Sequence, residues 1–183
     1  VPFGTTSALT TTGGSGTGAV TFSAGASTGC SVAGSTLSVT SVAGTCLVTA
    51  TKAADSSYNS ATSAPLTVTL TKGTQATVTV TAPATATVGQ AGLSAVASGG
   101  SGTGAYSYST STPSVCGVNA TTGALTISAT GSCLITATKA ADTNYLVSAV
   151  SPTPAVISVG LATQATLVAV VTPSTVTFGS TAA

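Results

Sequence analysis

Cys133-Leu134-Ile135-Thr136-Ala137-Thr138-Lys139-Ala140-Ala141-Asp142 decides the fold, and it has an earlier twin in Cys46-Leu47-Val48-Thr49-Ala50-Thr51-Lys52-Ala53-Ala54-Asp55. Aliphatic and hydroxyl side chains alternate through both, which is the period-two signature of a half-buried strand. The same alternation runs through 66–71, 77–81 and 125–128, while no window carries a helical period with good helix formers. In the second copy the pattern predicts strands near 76–82, 91–98, 105–110, 124–129, 133–138 and 155–160, with a short one after Pro113 leading into Cys116. Glycine-rich turns and prolines separate them, with Pro83 read as a bend. Six or seven short strands with turns every eight to twelve residues predict an all-β, immunoglobulin-type β-sandwich, a closed barrel being the competing arrangement.

Working outward, the twin stretches belong to a longer repeat. Gly13-Gly14-Ser15-Gly16-Thr17-Gly18-Ala19 returns unchanged as 99–105, and Thr74-Gln75-Ala76-Thr77 returns as 163–166. From Gly13 to Gly99 is 86 residues, from Lys52 to Lys139 is 87, and from Thr74 to Thr163 is 89. Such drift is what single-residue insertions in loops leave behind, and a period near ninety fits one small domain per repeat. The expected organisation is 1–72 as a repeat lacking its first strand, 73–161 as a complete repeat, and 162–183 as the first strand of a following one. The alternative for that last segment is a donor strand for the next subunit. Because 178–183 duplicates what 3–8 already provides, two segments would compete for one groove, so a longer covalent array is expected over a donor-strand polymer. The chain opens on Val1 with no visible signal peptide, as expected of a processed product or a segment of something longer.

Composition excludes most chemistry. His, Arg, Glu, Met and Trp are absent, and Lys52, Asp55, Lys72, Lys139 and Asp142 are the only charged side chains of 183 residues. One carboxylate per repeat leaves no tuned acid–base pair, and without imidazole no Ser, Thr or Cys has an activating base. The chain is therefore expected not to be an enzyme and to need no cofactor. Three dispersed lysines cannot neutralise a run of phosphates, so nucleic acid is not an expected partner. No apolar stretch approaches the ~20 residues of a spanning helix, so membrane insertion is not expected. About forty threonines supply polarity instead, and with a net charge of +1 neighbouring copies do not repel one another.

Cys30 and Cys46 lie 16 residues apart, and Cys116 and Cys133 lie 17 apart. Zinc would want CxxC clusters or His, and a redox pair would want adjacent cysteines beside a cation. One structural disulfide per repeat remains, stabilising each by about 3 kcal/mol through the unfolded state. That reading places the protein outside the cell.

The block running from Gly44-Thr45-Cys46 to Asp55 and Tyr58, preceded by the GGSGTGA loop and a Gly29-Cys30-Ser31-Val32 step, resembles the bacterial immunoglobulin-like repeats found in tandem in very large secreted and surface proteins. The resemblance covers essentially the whole chain. It implies a sandwich fold, a cell-surface or secreted location, and a role as a spacer in an adhesin, stalk or filament, packed head to tail on neighbouring repeats or in a homopolymeric fibre. It implies no catalytic or ligand residues. A carbohydrate- or surface-binding module is the alternative, with a glycan or a host or abiotic surface as partner, although seven Tyr and Phe residues give it few aromatic platforms.

Asp55 with Tyr58, and Asp142 with Tyr145, invite a calcium reading, but one carboxylate per repeat falls short of six to eight oxygens. The expectation is that each Asp caps its own turn and each Tyr packs at the core edge. Lys52 and Lys139 are expected to form local surface ion pairs with Asp55 and Asp142. The GGSGTGA loops, which lack a lysine and a following helix, are read as flexible hairpin turns and not as phosphate cradles.

Overall fold

A computed structural model describes residues 1–170 together with Phe178 and Gly179. No helix occurs among the described residues. The strands are β1 (Thr6–Ala8), β2 (Val20–Ser23), β3 (Cys30–Ala33), β4 (Thr36–Val39), β5 (Leu47–Lys52), β6 (Ala61–Thr62) and β7 (Leu66–Thr67), then β8 (Val78–Thr81), β9 (Thr85–Thr87), β10 (Val96–Gly99), β11 (Tyr106–Thr110), β12 (Cys116–Val118), β13 (Leu125–Ile127), β14 (Gly131–Lys139) and β15 (Ala155–Gly160). Among the described residues, strands β1 to β7 pair only among themselves, as do β8 to β15.

Strand β14 organises the second half. Cys133, Ile135, Ala137 and Lys139 are buried, while Leu134, Thr136 and Thr138 between them are half-exposed. It pairs antiparallel with β11 and β15, and β9 adds in parallel to β15. Against this sheet lie the β12–β13 and β8–β10 pairs. The inward Val78, Val80, Leu125 and Ile127 meet Ile135 and Ile157 in one core. A β-sandwich follows from burying both inner faces at once. Cys116 on β12 is bonded to Cys133 on β14, which ties the two layers at the centre of that core.

The first half repeats this plan with one piece fewer. The β3–β4 hairpin corresponds to β12–β13, β2–β5 to β11–β14, and β5–β7 to β14–β15. A parallel bridge from Pro2 to Thr71 stands where β9 meets β15. Cys30 and Cys46 are joined beside the start of β5. Among the described residues nothing runs beside 10–13 as β8 runs beside β10. The buried cluster is correspondingly small: Cys30, Leu37, Cys46 and Val48.

Several boundaries differ from the sequence reading. The strand expected over 66–71 is regular only at Leu66–Thr67, although Val68 and Leu70 still pack on the core. The strand expected over 91–98 begins at Val96, after Gly92 has taken φ +77°. The bend at Pro83 is followed by β9, whose pairing with β15 is a long-range match that no local pattern announces. Of the segment 162–183, only 162–170, Phe178 and Gly179 are described; 161–170 is exposed and has no strand partner among the described residues, and the duplicated 180–183 lies outside them.

Replacing Cys116 and Cys133 together by Ala should lower stability by about 3 kcal/mol, the chain-entropy value for a loop of that length. Guanidinium unfolding followed by far-UV circular dichroism, suited to a chain without Trp, measures it; a loss below about 1 kcal/mol contradicts the role given to the bridge.

Candidate functional site

The two Asp-x-x-Tyr loops are built alike and act on two partners each. After β14, the Asp142 Oδ1 accepts the N–H groups of Asn144 (2.9 Å) and Tyr145 (2.8 Å), closing a tight turn on itself. Its Oδ2 accepts the N–H of Thr103 at 2.6 Å, reaching across to the glycine-rich loop. Asp55 does the same after β5, holding Ser57 and Tyr58 with Oδ1 and Thr17 with Oδ2. The GGSGTGA segments are thus clamped and not free turns. A side chain at Gly16 or Gly102 would collide with the carboxylate, and both glycines have positive φ (+75° and +71°). This explains why the loop is glycine where it meets the Asp.

Charged acceptors of several N–H groups favour the ionised form. The Ser57 N–H, followed by that of Thr17, holds the Asp55 carboxyl below its ordinary value of 3.8, against a smaller opposing effect of burial. For Asp142 the Thr103 N–H is the largest cause and Tyr145 the next.

The expected ion pairs give way to other contacts. Lys139, buried at the end of β14, lays its ammonium over the Tyr106 ring, 4.8 Å from the centroid, and donates to the Gly99 carbonyl at 3.5 Å. Lys72 donates to the Asp142 backbone carbonyl. The carboxylates are already occupied by backbone donors, which is the physical reason for the change.

The tyrosines also differ from the core-edge expectation. Tyr145 meets Phe3 of the first half edge to face, with ring centroids 5.1 Å apart and planes at 82°. Beside it, Asn144 Oδ1 accepts the Val42 N–H of the first half at 2.9 Å. The Gly73 N–H donates to the Asn144 carbonyl and the Leu146 N–H donates to Gly73, both at 2.9 Å. So the turn that Asp142 closes is the turn that touches the preceding half. Its counterpart, Tyr58, is 52% exposed. The tyrosines that do line a core are Tyr106 and Tyr108, whose hydroxyls bond the Gly99 carbonyl and the Ala97 N–H. Sequence reasoning did not single out Asn144 or Phe3; the pairing of an exposed aromatic with an Asx turn was the available signal.

Among the described residues no group of three or more His, Cys, Asp or Glu side chains converges, and no helix is long and apolar enough to cross a membrane.

No protein-family model matches the chain, and no curated protein matches it. Among solved structures it is similar to the crystal structure of the C-terminal 282-residue fragment of intimin in complex with the intimin-binding domain of the translocated intimin receptor, at 18% identity and a TM-score of 0.33. The match covers 75% of this chain, which spans about half (52%) of that one.

Because both carboxyls are held low, the stability they give is complete above the ordinary value of 3.8 and is lost as pH falls through their lower folded values. The melting temperature should therefore drop below about pH 3.8. In the Asp55→Asn/Asp142→Asn variant the neutral-pH melting temperature should be lower and the acid limb flatter; calorimetry across pH 2 to 7 reads both.

Proposed function

We propose that the chain is a structural module: two immunoglobulin-like β-sandwiches, each with its own disulfide, stacked as consecutive units of an extracellular rod, stalk or filament of adhesin type. It performs no catalysis. The junction carries this reading. Gly73 follows the last segment of the first unit, is bonded on both sides to the 144–146 turn of the second, and leads within five residues into β8. There is no spacer in which a hinge could act. The Tyr145–Phe3 contact and the Asn144–Val42 bond hold the outer side of the same junction.

Supporting features lie in the rest of the chain. The disulfides suit an oxidising compartment. A net charge of +1 sets up no repulsion between units laid end to end. The side-chain inventory contains no base for nucleophilic chemistry. Under tension, β14 is held by β15 over Gly131–Ile135 and by β11 over Ile135–Lys139, so the two pairings together span its nine residues.

Residual dipolar couplings test the stiffness this role requires. Couplings from 1–72 and 73–161 should fit one alignment tensor in the unaltered chain, and the Asn144→Ala/Tyr145→Ala variant should need two. Two independent tensors in the unaltered chain overturn the rod.

A further inference from the structure

We infer that Asp142 is the latch of the junction, and that neutralising its carboxylate turns the rod into two folded units that move independently. This rests on the structural-module reading above and adds the group that regulates it. Among the described residues, the hydrogen bonds and the ring contact that reach from the second half to the first, and to its exit at Lys72 and Gly73, all start from 142–146. Asp142 is what folds that stretch. Its Oδ1 accepts the Asn144 and Tyr145 N–H groups, and its own N–H donates to the Tyr145 carbonyl at 3.1 Å. So closed, the turn presents the Asn144 Oδ1 to the Val42 N–H and the Tyr145 ring to Phe3. Its backbone holds Gly73 on both sides, and the Asp142 carbonyl accepts the Lys72 ammonium.

The receiving side has no slack. The Phe3 N–H donates to the Thr71 carbonyl at 2.8 Å, which ties the ring of Phe3 to the exit of its own half. Gly73 is buried, and a Cβ there would strike the Phe3 carbonyl. Main chains packed this closely have no side chain between them to take up a shift. A turn that opens therefore parts Gly73 from 144 and 146.

The turn is closed by charge. Besides the two N–H groups at Oδ1, the Thr103 N–H donates to Oδ2 at 2.6 Å and the Thr103 hydroxyl lies 3.4 Å from it. An ionised acceptor makes stronger bonds than a neutral one, and a protonated carboxyl carries a hydrogen where one of these donors points. The titratable groups facing Asp142 are few. Lys72 sits on its backbone carbonyl, Tyr145 lies within its turn, and the glycine loop brings only Thr103. Lys139, at the end of β14, turns its ammonium to Tyr106 and Gly99, and Asp55 is bound in its own turn. The donors, Thr103 first, hold the carboxyl below its ordinary value, so the latch is closed at neutral pH and opens as pH falls through that lower value. The buried clusters of both halves are Val, Ile, Leu, Ala and cystine, none of which titrates, so the units stay folded where the latch opens.

Asp55 is the built-in control. It bonds Ser57, Tyr58 and Thr17 as Asp142 bonds Asn144, Tyr145 and Thr103. Among the described residues its turn makes no hydrogen bond or ring contact with the second half. Losing that carboxylate loosens two loops of one unit and leaves the junction alone.

Dipolar couplings of the unaltered full chain, followed downward from about pH 7, test the latch while the carbon-13 shift of the Asp142 carboxyl reports its protonation. One alignment tensor should fit both halves at the start. Two should be needed once that signal reaches its protonated position, with the core amide shifts of both halves unchanged. At about pH 7, Asp142→Asn should already need two tensors and Asp55→Asn one. Trypsin gives a second readout at Lys72–Gly73, the lysyl bond inside the junction. Cleavage there, identified by fragment mass, should be roughly tenfold faster or more in Asp142→Asn than in the unaltered chain or in Asp55→Asn. A single tensor that persists after Asp142 has titrated, or core unfolding before it titrates, overturns the latch; so does equal cleavage of the two Asn variants. Two tensors in the unaltered chain at about pH 7 remove the rod itself, and the latch with it.

Discussion

Small side chains force both sheets of this sandwich to be complete. With no Trp and few aromatic rings, the core is made of Val, Ile, Leu, Ala and cystine, and each contributes modest apolar area. Removing one strand therefore exposes a large fraction of what remains. The two halves display the difference directly. Where β8 is present, the alternate residues of β14 are buried from Cys133 to Lys139; where it is absent, burial on β5 stops at Val48. The disulfide matters for the same reason, since it sits at the centre of a core that has little else to hold its layers together.

A second constraint is the scarcity of charge. Two carboxylates serve 183 residues, and each is used as a multiple acceptor for backbone N–H groups. Loops at the end of a sandwich have many such donors without sheet partners, and an ionised oxygen satisfies them better than a hydroxyl. One Asp thereby fixes two loops at once: its own turn and the glycine loop beside the neighbouring strand. In the second half that turn presents Asn144 and Tyr145 to the first half, so the clamp also sets the junction.

Strand identity was legible wherever alternation was strong and both faces had different jobs, as in 133–138 and 155–160. It overran at 66–71, where only Leu66 and Thr67 pair regularly with β5 and the remainder is held by single bonds, from the Val68 N–H to Cys46 and between Thr71 and residues 1–3. It failed also at 85–87, where a parallel neighbour seventy residues away makes the strand. Asp55 and Asp142 were readable as turn caps, because Asp followed by polar residues and Tyr is local chemistry. Their second bond, to Thr17 and Thr103, crosses about forty residues and leaves no local trace.

Taken alone, the order of residues determined an all-β chain of repeating units with paired cysteines, because side-chain period and spacing are properties of neighbours along the backbone. Tertiary structure decided which rings face the core and which face the adjoining unit, and where each lysine puts its charge. Those outcomes depend on which surfaces compete for the same space, and that competition exists only once distant segments are brought together.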